Sequence, residues 1–99
     1  MARFDVFRNP EGPGCLLDIQ VDLLSHLNTR VVVPLLPVAT APKPARTLNP
    51  VFVLGEETLV MTTQFMAAVP ASMLRTPMAN LAARRDEIVA AIDLLMQGF

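Results

Sequence analysis

The sequence predicts a small, mainly β protein. About five short antiparallel strands bend into a small barrel or a highly curved sheet, and one helix stands at the C-terminal end. Three observations predict this. Leu17, Ile19, Val21 and Leu23 alternate with Asp18, Gln20 and Asp22, the period of two of a half-buried strand. Proline and glycine clusters punctuate the chain at short intervals. Helical spacing occurs only near the end, at Leu81, Ile88, Ile92, Leu95 and Phe99, with Val89 and Met96 beside them.

In chain order, Phe4–Phe7 reads as a short strand, and Asn9–Gly14 is a turn cluster. Cys15–Leu24 is the alternating strand, which makes a hairpin with the first. Ser25–Asn28 connects it to Thr29–Val33, a β-branched strand ended by Pro34; Leu35–Val38 continues it past a bulge or along an edge. Ala39–Arg46 holds Pro42 and Pro44 and reads as an exposed loop. Val51–Leu54, a turn at Gly55–Glu57 and a return over Thr58–Thr63 form a second hairpin. Gln64–Pro70 fits neither pattern, and Ser72–Pro77 is a connection with room for one helical turn. Good helix formers fill Ala82–Glu87, and Gly98 is the natural stop.

The 99 residues form one domain, 1–99, with no internal repeat. Hydrophobic residues make up 53% and charged residues 17%, and mean hydropathy is +0.46. Such a chain is not disordered. Its apolar excess points to an interface in an oligomer. The net charge is −1, and eight basic residues are scattered among nine acidic ones. That is no footprint for binding nucleic acid through its phosphates. The N-terminus lacks the apolar core of a signal peptide, and no apolar run approaches a membrane span. The expected compartment is the cytoplasm.

No catalytic constellation emerges. Cys15 is the only cysteine, so an internal disulfide and a cysteine-rich zinc site are excluded. His26 is the only histidine and sits in a polar connection without metal-ligand partners. Cys15 reads as a small buried hydrophobe rather than a nucleophile. Glu56–Glu57 is a solvated turn, and Gly12-Pro13-Gly14 is too short and proline-bound for a phosphate loop. Arg84–Glu87 reads as a solvated helix face, and the six methionines as core filler. Tyr and Trp are absent, which removes the best stacking residues for single-stranded nucleic acid. No cofactor or metal is expected. The run Leu94–Phe99 stands out, because an apolar helix end must dock on its own sheet or on a partner.

Five stretches, in order, resemble the CcdB family of toxins. They are Asp18–Leu24; Thr29–Leu35; Leu48–Val51; Met61–Thr63 with Ala67–Pro70; and Ala91–Leu95 with Gly98-Phe99. The resemblance spans the whole chain. It implies an SH3-like barrel with a C-terminal helix, a homodimer, and no enzymatic activity. It further implies binding to the A subunit of DNA gyrase, trapping of the gyrase–DNA cleavage complex, and neutralisation by a CcdA-like antitoxin. Operator DNA would be held only through that antitoxin, with the toxin as corepressor. The gyrase-binding residues it implies are Leu23, Leu24, Asp93, Met96, Gln97, Gly98 and Phe99. The best-known member ends in Trp-Gly-Ile, where this chain has Gln97-Gly98-Phe99, and it has Asn where this chain has Asp93. A buried Trp anchor carries roughly 2–4 kcal/mol of an interface. A toxin homologue with a changed or lost target is therefore the alternative. A second is an endoribonuclease of the related MazF group, with Arg8, Arg30 and Arg46 as its basic residues.

Overall fold

The structure is a computed structural model and describes residues 1–98. Seven strands run in sequence order: β1 (Asp5–Arg8), β2 (Cys15–Asp18), β3 (Thr29–Pro37), β4 (Val51–Leu54), β5 (Glu57–Met61), β6 (Ala67–Pro70) and β7 (Ala79–Asn80). Helix α1 (Arg85–Gln97) follows. All pairings are antiparallel, in the order β4-β5-β3-β2-β1-β7, with β6 also on β3. The result is the expected nearly closed, mainly β barrel with one C-terminal helix.

Strand β3 is the spine. One edge pairs with β2, and the other pairs first with β6 over Thr29–Val32 and then with β5 over Leu35–Pro37. A proline ordinarily ends a strand, yet Pro34 lies within this one. It falls in the gap between β6 and β5, where the ladder asks for no N–H. Its carbonyl accepts instead, from the N–H and the hydroxyl of Thr62.

The interior is built from alternate residues of the strands: Val6, Leu17, Val33, Leu35, Phe52 and Leu59 are buried together, and Ile88 and Ala91 of α1 close over them. A smaller cluster, Phe7, Leu16, Val32 and Leu74, covers the opposite face of β1–β2–β3. The sheet is therefore covered on both faces here. Gly14 permits the tight entry into β2: at φ +81° its Cα lies so close to the Leu35 carbonyl that a Cβ would overlap it.

Three expectations need correction. The alternating strand does not run to Leu24. It ends at Asp18, and Val21 and Leu23 are exposed at 46% and 82% instead of sharing the buried face. The cause is Asp18, whose Oδ1 accepts the Gln20 N–H and turns the chain. The polar residues Asp18 and Gln20 are buried along with Leu17 and Ile19. Second, the sheet has two more strands than expected, β6 within the ambiguous Gln64–Pro70 and β7 at its edge. Third, Ala91 takes the core position expected of Leu95, which is exposed.

Candidate functional site

Two exposed apolar elements emerge from the chain's local chemistry. The first is the stretch Val21–Thr29, exposed throughout. A single turn of 3-10 helix, Asp22–Leu24, opens it, and Val21, Leu23, Leu24 and Leu27 present their side chains to solvent. Four large apolar side chains on one short exposed segment are the kind of surface that protein partners cover.

The second is the last turn of α1. The helix starts where Asn80 Oδ1 accepts the Ala82 N–H, runs through the 3-10 turn Ala82–Arg84, and ends at Gly98. Gly98 is left-handed (φ 81°), and its N–H returns to the Leu94 carbonyl. Only Ile88 and Ala91 are fully buried, so the helix docks by its middle. Leu95 and Met96 remain exposed at 38% and 63%. The apolar helix end is thus not absorbed by its own barrel.

The residues named from the sequence fall on these two elements. Leu23 and Leu24 lie on the 3-10 turn. Asp93 is half-buried on α1, while Met96, Gln97 and Gly98 are exposed. Phe99 lies outside the described residues. Gln97 Nε2 donates to Asp93 Oδ1 at 3.4 Å, so these two meet one helical turn apart.

Sequence reasoning missed what lies beneath the first element. Arg30, 1% exposed, donates through Nε and Nη2 to Asp18 Oδ2 at 2.9 and 2.5 Å. Asp18 pairs with Val32 across the strands, so Arg30 is its diagonal neighbour on the same face. Burial pushes the Asp18 carboxyl up from its ordinary range, opposed by the hydrogen bonds from Arg30 and from the Gln20 N–H. The available signal was a carboxylate on one strand facing an arginine on the next.

The remaining polar groups show no catalytic geometry. Cys15 is buried beside Met78, Sγ to Sδ 3.7 Å, and burial raises its thiol above the ordinary value. No group of three or more His, Cys, Asp and Glu could hold a metal among the described residues. Glu57 pairs with Arg8 at 3.2 Å. Arg84 is more than a solvated charge: its guanidinium lies 4.8 Å from the centre of the Phe52 ring and pairs with Glu87. The basic residues Arg8, Arg30 and Arg46 form no common groove, since Arg30 is sealed behind its carboxylate. A surface cleft of about 600 Å³ is lined by Phe7, Arg8, Pro10, Met73 and Arg75, so Arg8 borders it while Arg30 and Arg46 do not. Among the described residues no helix is long and apolar enough to cross a membrane.

Comparison with known proteins adds two findings. The family model described as "CcdB protein" matches residues 3–98. A solved structure titled "Endoribonuclease in complex with its cognate antitoxin from Mycobacterial species" superposes with a TM-score of 0.78 at 15% sequence identity, covering 97% of this chain and 94% of that one. At that identity the likeness speaks for the barrel alone.

Proposed function

The chain belongs to the CcdB family, and on that premise we propose that it is the toxin of a type II toxin–antitoxin pair that binds the A subunit of DNA gyrase and holds the gyrase–DNA cleavage complex. It acts by binding, as a cytoplasmic homodimer, and not as an enzyme. A CcdA-like antitoxin neutralises it and carries the operator DNA for which the toxin is corepressor.

One observation carries the reading. The apolar side chains of Leu23 and Met96, both within the residues 3–98 that match the family, are left in solvent as part of the exposed apolar sets of the Val21–Thr29 segment and the helix end. Exposed leucine and methionine give a target protein desolvation energy at little cost to the fold. Asp93 and Gln97 add a polar edge to the helix end.

The test is gyrase-mediated DNA cleavage with purified protein, ATP, supercoiled plasmid and the host's own gyrase. Linear DNA after denaturation and proteolysis supports the reading. A folded, dimeric protein that yields no linear DNA refutes it.

A second reading rests on Gln97. Its amide turns back on Asp93, where the best-known member offers an aromatic ring. A toxin with a changed or lost target fits that arrangement. Such a protein binds its antitoxin, forms the dimer, and is harmless when expressed alone. The ribonuclease reading has less support, because Arg30 is committed to Asp18 and turned away from any RNA.

A further inference from the structure

The exposed segment Val21–Thr29 is nine residues of chain with one 3-10 turn and no strand before Thr29 opens β3. Within it the backbone makes three bonds: Leu24 N–H to Val21 O, Ser25 N–H to Asp22 O, and Leu27 N–H to Leu24 O. No side chain caps the N-terminal end of that turn. So short a helical piece has no stability of its own, and its apolar side chains face water.

Its order is imposed from outside: Ala71 N–H donates to Asn28 O at the far stem, and one side chain below reaches the middle. Gln20 Nε2 donates to Leu24 O at 3.1 Å, inside the segment, and to Thr29 O at 3.3 Å, at its far stem. Gln20 Oε1 accepts the Val31 N–H at 3.1 Å. One amide thus uses both donor hydrogens and its acceptor to tie the middle of the segment to β3. Gln20 is itself fixed. Its N–H is taken by Asp18, and its carbonyl accepts from Arg30 Nη2 at 3.4 Å. The near stem is held by Arg3, whose N–H donates to Asp22 Oδ1 and whose Nε donates to Ile19 O.

We propose that Gln20 is a positioning residue: braced by the buried Asp18–Arg30 pair, it holds the Asp22–Leu24 turn in one conformation so that Leu23 and Leu24 meet the target protein as a preformed surface. That the target is the gyrase A chain rests on the function proposed above; the clamp itself rests on hydrogen bonds alone. A preformed surface loses less conformational entropy on binding than a loose one. Gln20 never touches the partner. It acts through the turn.

The test uses the full-length protein and the Gln20→Met substitution, which keeps the length of the side chain and removes all three of its bonds. Amide hydrogen exchange should quicken at least tenfold at Leu24, Ser25 and Leu27, with β2 and β5 amides unchanged. Affinity for the gyrase A chain should fall about tenfold. Unchanged exchange in the segment overturns the proposal, and so does an increase shared equally by the barrel. Should the variant not fold, the native protein still decides: the Gln20 side-chain amide protons must be protected from exchange, and free exchange there overturns the clamp. Leu23→Ala separates the two claims. If it binds gyrase normally while Gln20→Met loosens the segment, the target surface lies elsewhere and the positioning of Leu23 for it is refuted with it. If it loses binding with exchange unaltered, contact and clamp are shown to be different residues.

Discussion

Arg30 and Asp18 form an ion pair in which both side chains are sealed from solvent, two guanidinium nitrogens converging on the single oxygen Oδ2. Taking two charges out of water costs free energy that their attraction only partly returns. Removing one partner is therefore far worse than removing both. Arg30→Met alone should destabilise the fold by about 3–5 kcal/mol in urea unfolding. Adding Asp18→Leu should recover part of that loss, short of the full amount because Asp18 also accepts the Gln20 N–H. Strictly additive losses in the cycle would refute the account.

Gly14 and Gly55 both sit at positive φ, +81° and +62°. They differ in their surroundings: a Cβ on Gly14 meets the Leu35 backbone, and one on Gly55 meets nothing within 4 Å. Gly55→Ala should cost about 1 kcal/mol, the left-handed penalty alone. Gly14→Ala adds a backbone collision and should cost at least ~3 kcal/mol. Equal losses in parallel denaturation curves would remove the packing argument.

Cys15 should behave as an inert thiol. It is buried, and burial holds its pKa above the ordinary 9.0, so the folded state keeps the proton longer than the unfolded one. Stability is then unaffected below about pH 9 and falls as pH rises beyond it. A thiol reagent at neutral pH should label Cys15 only as fast as the protein opens. Rapid labelling of the folded protein is the contrary result.

Leu23→Asp and Met96→Asp should abolish killing on expression while leaving the melting temperature within a few degrees, because both side chains already stand in water. Deletion of Gly98-Phe99 should do the same. A truncated protein that still kills places the target surface elsewhere.

In solution the protein should be a dimer at micromolar concentration. Edge strand β4 leaves Val51 and Val53 exposed at 40% and 68%, adding to the exposed apolar residues of the helix end and the Val21–Thr29 segment. Light scattering should give twice the chain mass of 10.8 kDa. A clean monomer mass is the outcome that sinks the interface.

Legibility in the sequence follows local physics. The β4–β5 hairpin is plain, because Gly55 sits between two β-branched runs. The end of α1 is plain for a similar reason, with Gly98 in the left-handed cap. Strand β6 is invisible: Ala67 and Ala68 have little strand preference, and only pairing with β3 makes them one. The alternation of Leu17–Leu23 continues past the point where the chain turns, since nothing in the pattern marks Asp18 as buried and accepting the backbone N–H of Gln20. Leu23, Leu24 and the helix-end residues are found from the family resemblance. Gln20 and Arg30 escape notice because a polar residue in an alternating strand is read as facing water.

Frame and contact are held by different atoms in this molecule. The Val21–Thr29 segment is shaped from below by Gln20 and Arg3, while the Leu23 side chain stands almost wholly in solvent. The outward residues are thus free to drift under selection without unfolding the scaffold. Exposed residues such as Leu23, Met96 and Gln97 can be rewritten while the buried frame beneath them stays as it is.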